Sequence, residues 1–356
     1  MTSTIDAGSF YAEYKGHPIK DLEAVHAHFC CKKEGEKETP TTIFLTGDSS
    51  LDNKHWFFDP YREKDAQIKI TGRGGGGPPS FVGAAVNGYE HILQPPRMVK
   101  DVAYWMNALA AERFKSGSVV TINASVEEST VGERVQSSTG LLPHDEFVRD
   151  HTAAGDVVVC SVGGNDVALK PTVATIAAVF ALTRSPMWMI RTFGPWTPGW
   201  GHMEAMFHDR IEEMVQRILA SPNGTPPRKV VVCMIYYLDE KPGGSWADFT
   251  LDKLGYNVNP EKLQLIIRML FERIRARGFS SSRPPSQGGL FGLFEKGGTQ
   301  TAQVAAAAAQ TEVLAFPLFE VLDGKNTEDY VQRVEPSVQG GKKMAEALLN
   351  FIFDEQ

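Results

Sequence analysis

Four cysteines in 356 residues, none in a Cys-x-x-Cys spacing, are too few for a disulfide framework or a thiolate metal site. Cys30 and Cys31 are adjacent and awkward to bridge to each other. Cys160 and Cys233 sit in apolar runs and read as buried small hydrophobes, which favours a reducing compartment. Positive charge is scarce too. The 36 Lys and Arg against 43 Asp and Glu leave a net charge of −7, and no basic run is interleaved with aromatics. Nucleic acid is therefore excluded as a partner. The N-terminus, MTSTIDAGSFYAEYKGHP, lacks the apolar stretch of a signal peptide, so the N-x-S/T triplets at Asn123 and Asn223 are read as chance. A cytoplasmic protein is expected, with organelle targeting left open. Nor is there an unbroken apolar run of the roughly 20 residues that a membrane span needs. The nearest, Val173–Trp200, is interrupted by Arg184, Pro186 and Arg191. That excludes a span but leaves contact with a lipid surface open.

What the chain does have is five short apolar runs rich in β-branched residues: Thr42–Leu45, Ser118–Ile122, Asp156–Ser161, Lys229–Tyr237 and Glu312–Phe316. Helical spacing of apolar residues lies between and after them, in Met98–Lys115, Met206–Ile218, Leu263–Ile274 and Lys342–Phe353. Continuous apolar strands alternating with helices predict a parallel sheet covered on both faces, in one α/β domain over residues 41–356. Residues 1–40 read as a polar, irregular N-terminal extension with a short helix around Leu22–His28. Inserted segments are expected near 72–79, 173–206 and 279–310. Gly72–Pro79 reads as a loop and not a phosphate cradle, because no Gly-Lys-Ser/Thr opens a helix after it. Phe279–Thr301 reads as loop and Ala305–Ala309 as a short helix.

Sites in parallel α/β sheets gather beyond the carboxyl ends of the strands. After the first run comes Gly47-Asp48-Ser49-Ser50-Leu51, and after the second Asn123-Ala124-Ser125-Val126-Glu127-Glu128-Ser129-Thr130. Gly163-Gly164-Asn165-Asp166 follows the third, and Asp239-Glu240 the fourth. The last is followed, after Asp329-Tyr330, by Gln332-Arg333-Val334-Glu335-Pro336-Ser337. In these blocks the chain resembles the SGNH (GDSL-type) hydrolases. FLTGDSSLDNK is similar to their nucleophile block and INASVEEST to their second. CSVGGNDVAL is similar to their G-x-N-D block, and VEPSVQGGKKMAEALL to the final D-x-x-H-P-S block with its helix. The matches come in family order from Thr42 to Leu349.

The resemblance implies a three-layer α/β/α fold with a parallel, flavodoxin-like sheet of about five strands. It also implies a serine ester hydrolase or acyl transferase that needs no cofactor or metal and acts on a small-molecule or lipid-like ester. Ser49 falls on the nucleophile. Asn165 falls on the side-chain donor of an oxyanion hole shared with the backbone amides of Ser49 and Glu128; Asp48, Gly163 and Gly164 support them. Such donors matter because they bind charge that develops only in the transition state. Three departures stand out. The family's aspartate falls on Gln332, its histidine on Glu335, and its oxyanion glycine on Glu128. Glu335 is read either as a base whose pKa burial raises, or as a structural carboxylate paired with Arg333 or Arg134. The alternative to an enzyme is a silent relative that binds an apolar ligand or a protein partner. His55, His202 and His208 are given ordinary roles, and His91, His144 and His151 are placed at the surface. No histidine pair has metal-ligand spacing with a carboxylate. The Trp- and Met-rich Val173–Met206 reads as plain core and capping loop, or as a lid in which Trp188, Trp196 and Trp200 wall a substrate pocket.

Overall fold

The structure, a computed structural model, describes residues 4–30, 39–58, 67, 69–72, 78–135, 140–220, 225–280 and 311–354. Five parallel strands form its centre: β1 (Thr41–Gly47), β2 (Val119–Asn123), β3 (Val157–Ser161), β4 (Lys229–Met234) and β5 (Glu312–Pro317). Their order across the sheet is β2-β1-β3-β4-β5, so β1 pairs with β2 on one side and β3 on the other. This 2-1-3-4-5 arrangement is the flavodoxin-like one, with its switch point between β1 and β3.

The strands read as unbroken apolar runs because both faces are buried. Along β1, Phe44 enters one core with Ile122, Val158 and Val230. Its neighbours Ile43 and Leu45 enter the other core with Val157, Val159 and Val231. The period of two is present but hidden, since either face meets helices. The second face is covered by α3 (Val102–Arg113) and α13 (Val338–Phe353), through Met106, Ala110, Met344 and Leu348. Helices α2 (Ile19–Cys30), α5 (Pro143–His151), α10 (Arg210–Leu219) and α12 (Pro260–Arg277) cover the first. Further helices among the described residues are α1 (Ala7–Ala12), α4 (Val131–Val135), α6 (Gly164–Ala168), α7 (Val173–Arg184), α8 (Met187–Phe193), α9 (Trp200–Glu204) and α11 (Asp248–Lys253).

The short helix expected around Leu22–His28 is present within α2, but the other described N-terminal residues are not the irregular extension expected. Asp6 caps α1 by accepting the Ser9 N–H at 2.8 Å, and Phe10, Tyr11, Leu22 and Val25 are buried in the main core. Their apolar positions are few and short-range, so the pattern is weak; tertiary packing supplies what periodicity does not. The helix read from Met98 begins only at Val102, because Arg97–Val99 pairs antiparallel with Val82–Ala84. Most of the 72–79 insert and of the 279–310 insert, with its alanine run, lie outside the described residues. So do Cys31 and Asn223.

Candidate active site

The site starts from a backbone demand at the end of β1. Gly47 has φ +138°, and a Cβ there would sit 1.8 Å from the Ser161 carbonyl oxygen, so only glycine fits. The Asp48 N–H donates to that carbonyl at 2.9 Å, which fixes the turn against the end of β3. Ser49 follows, buried, and its hydroxyl donates to Glu335 Oε1 at 3.0 Å across 286 residues of chain. The rest of the block holds this pair in place. Asn53 donates to the Pro336 carbonyl at 2.8 Å and accepts from the Val102 N–H at 3.3 Å, tying the Glu335 segment to the serine turn. The Asn123 amide donates to the Leu51 carbonyl at 3.1 Å.

Asn165, at the start of α6, donates to the Ser129 carbonyl at 3.1 Å and lines the same cavity as Ser49 and Glu335. Asp166 accepts the N–H groups of Val131 and Gly132 at 2.8 and 3.0 Å, capping α4. A Cβ on Gly163 (φ +118°) would meet the Phe207 ring at 2.7 Å, while Gly164 has open space. Glu128 takes φ +57°, the left-handed region that glycine adopts most easily. A non-glycine residue there carries about 1–2 kcal/mol of strain. Gln332 and Arg333 take φ +52° and +67°. Three of the four such non-glycine residues among the described residues therefore flank the serine turn and the glutamate, where strain is commonly held. The Gln332 side chain accepts from the Trp246 N–H at 3.2 Å, and its carbonyl accepts from the Ser245 hydroxyl at 2.6 Å. It anchors the Trp246 loop.

Neither arginine weighed as a partner reaches Glu335. Arg333 binds Asp248 and Asn257, at 2.6 and 2.9 Å, and Arg134 binds Asp145 at 2.8 Å. Oε2 of Glu335 has no hydrogen-bond partner among the described residues. Burial pushes the Glu335 carboxyl well above the usual range, the Asp48 charge adds to this, and the Ser49 hydrogen bond opposes it. Asp48 is itself pushed up to about 6 by burial, against hydrogen bonds from Ser50. A second buried carboxyl, Glu127, accepts from Trp56 Nε1 at 2.9 Å, and its other oxygen is unpartnered. Burial raises it, and the charge of Glu335 raises it further.

An apolar cavity of about 1020 Å³, counting its open mouth, leads away from Ser49. Its walls are not the expected tryptophans. The bend between α7 and α8 turns Trp188 and Trp196 outwards, 64% and 82% exposed, while Trp200 is buried and donates to Glu204 at 3.1 Å. Instead Leu263, Ile266, Ile267 and Leu270 of α12 line one side, Met203 and Phe207 another, and Trp246 stands at the rim, stacked on Trp56 at 5.9 Å. The helical period of α12 was legible, but not what its inner face encloses.

Among the described residues, no histidine lines this cavity. His202 meets the Thr175 hydroxyl at 3.0 Å, and His208 the Gly278 carbonyl at 2.7 Å and Asp209 at 2.9 Å. His144 and His151 are part-buried rather than at the surface, against the His17 carbonyl (2.8 Å) and Glu23 (2.9 Å). His17, Asp52 and Asp101 bring three ligand atoms within 4.8 Å of one another. The buried Lys54 ammonium lies 2.6 Å from both Asp52 oxygens, so that carboxylate already has its cation.

No protein-family model matches the chain, and no curated protein matches it in sequence. Among solved structures the chain is similar to a GDSL-like lipase candidate from Parabacteroides merdae, at 12% identity over 88% of this chain and 96% of that one, TM-score 0.41. It is also similar to Axe2, an acetylxylan esterase from Geobacillus stearothermophilus, at 12% identity, coverage of 88% and 95%, and TM-score 0.37. A third is LAE5, an alpha/beta hydrolase enzyme from the metagenome of Lake Arreo, at 13% identity, coverage of 87% and 93%, and TM-score 0.37.

Proposed function

We propose that the protein is a serine ester hydrolase of SGNH type for esters with an apolar acyl group, using Ser49 as nucleophile and Glu335 as base. The observation that carries this reading is the buried 3.0 Å hydrogen bond from the Ser49 hydroxyl to Glu335 at the mouth of an apolar cavity. The acyl chain enters along α12. Ser49 Oγ attacks the ester carbonyl carbon while its proton passes to Glu335. The resulting oxyanion takes hydrogen bonds from the Ser49 N–H, the Asn165 amide and the amide of Glu128. Protonated Glu335 then gives its proton to the departing alkoxide. Water then attacks the acyl carbon as it gives a proton to the same carboxylate, and Glu335 returns that proton to Ser49 Oγ as the bond to the acid breaks.

Turnover of p-nitrophenyl esters of increasing chain length tests this. Each methylene buried is worth about 0.8 kcal/mol, so kcat/KM should rise up to about fourfold per carbon until the cavity is full. Ser49→Ala should abolish turnover and fluorophosphonate labelling. Glu335→Gln keeps the shape but not the base, and should cost about 10²–10⁴ in kcat. Full activity in Glu335→Gln would refute the glutamate as base. A wild type that neither turns over nor labels would make the cavity a binding site for an apolar ligand, the reading that the absent histidine favours.

A further inference from the structure

Large apolar side chains left exposed are not scattered over this molecule. Among the described residues, all of them lie between residues 169 and 196 or between 246 and 258. The residues just past the second stretch touch the first: Lys262 Nζ, at the start of α12, donates to the Thr183 carbonyl at 2.9 Å, and the Asn259 amide lies 3.9 Å from Met187 Sδ. Both also adjoin the cavity, which Val167 and Ala168 line just before the first stretch, and Trp246, Leu251 and Leu254 within the second.

Helix α7 shows the anomaly best. Thr175, Ala178, Val179 and Leu182 face the core, as one side of any surface helix should. The opposite side carries Val173, Ile176 and Phe180, exposed by 55–85%. A helix apolar on both sides belongs in a core or in lipid, and here one side has no protein partner in the described structure. Together α7 and Met187–Trp196 are apolar enough for a membrane span, but they bend by 106° at Ser185-Pro186, and no single helix is long enough to cross. A bent pair can lie along an interface with its outer side in the acyl boundary.

Charge selects the kind of surface. From Val167 to Met203 there are three basic residues and no acidic one, in a chain of net charge −7; Lys170 is paired with Glu133 at 3.0 Å, which leaves Arg184 and Arg191 to set the charge of the face. Arg184 and Arg191 are exposed, and the Arg184 guanidinium lies 4.7 Å from the Phe180 ring centroid. In the second stretch Lys253 lies 5.3 Å from the ring of the exposed Phe249. Asp252 offsets Lys253, while Asp248 is paired with Arg333. A ring with a cation beside it suits the boundary between acyl chains and phosphate groups, where long basic side chains reach up to the head groups.

We infer that this face docks the protein on an anionic lipid surface, bringing the mouth of the Ser49 cavity against the membrane. The occupant is a bilayer and not a second copy of the chain, because a like-charged copy would set basic residues against basic residues. The inference holds whether or not Ser49 is a nucleophile.

Co-sedimentation with sucrose-loaded vesicles tests it. The wild type should pellet with phosphatidylcholine:phosphatidylglycerol vesicles at 7:3 and much less with phosphatidylcholine alone. Trp188→Ser/Trp196→Ser should bind at least roughly tenfold more weakly, as expected when two aromatic anchors leave the interface. Its circular dichroism and its turnover of a soluble ester should be unchanged. Ser49→Ala should bind as the wild type does, which separates docking from catalysis. A wild type left in the supernatant with both vesicle types overturns the inference, as does equal binding by the double variant. A wild type dimeric by light scattering that the double variant makes monomeric overturns it in favour of a second copy.

Discussion

Glu335 can take a proton from Ser49 only when ionised, and its surroundings oppose ionisation. Burial and the Asp48 charge hold its pKa well above the ordinary 4.5. Below that raised value the carboxyl carries its own proton and cannot accept another. kcat/KM should therefore fall as pH drops through it, along an acid limb above the one an exposed glutamate would give. A profile flat from neutrality down to pH 4.5, the ordinary glutamate value, would show that another group is the base. Ser49 and Asn165 were legible in the sequence because each stands just past a strand end, whereas Glu335, far beyond the end of β5, was legible only through the resemblance of its block to the family's final one. Glu127 and Trp56, 71 residues apart, were not, because only the fold brings them together. Trp188 and Trp196 misled for a related reason: composition says that a side chain is apolar, not which way the helix turns it.

Helix α13 begins three residues after Glu335 and so sets where that carboxylate lies. Its cap, Ser337, donates its N–H to the Asp329 carbonyl at 2.9 Å and accepts the Gly340 N–H at 3.1 Å. A Cβ on Gly340 would come within 2.1 Å of that same Asp329 carbonyl oxygen. Gly340→Ala should thus cost about 1–3 kcal/mol in urea denaturation, the usual range for overpacking. It should also reduce turnover, because the shifted first turn carries Glu335 with it. Wild-type stability in this variant would mean that the helix end has slack. The strands, too, were legible as elements, since burial on both faces leaves a continuous apolar run. The six-residue α1 was not, being too short to show a period.

The whole molecule depends on its first thirty residues more than their polarity implies. Phe10, Tyr11, Leu22 and Val25 sit in the core, and burying each such side chain is worth about 1.5–3 kcal/mol. Their sum rivals the roughly 5–15 kcal/mol net stability of a domain. Deleting residues 1–30 should leave a chain without a cooperative thermal transition in calorimetry; a folded, melting product would show that the segment is an appendage after all.

The two carboxyl groups in the lining of the Ser49 cavity also bear on what would leave it under the proposed function. Asp48 and Glu335 face the space, and no lysine, arginine or histidine lines it among the described residues. A neutral ester enters without electrostatic opposition. The acid formed from it is an anion at neutral pH, and an ionised Glu335 repels it across a medium of low dielectric. On the proposed reading, cleavage turns a welcome guest into an unwelcome one, and departure of the product follows from the carboxylate proposed as the base. Free acids should be weak inhibitors beside their own neutral esters or amides in steady-state competition, and a tightly held acid would contradict this.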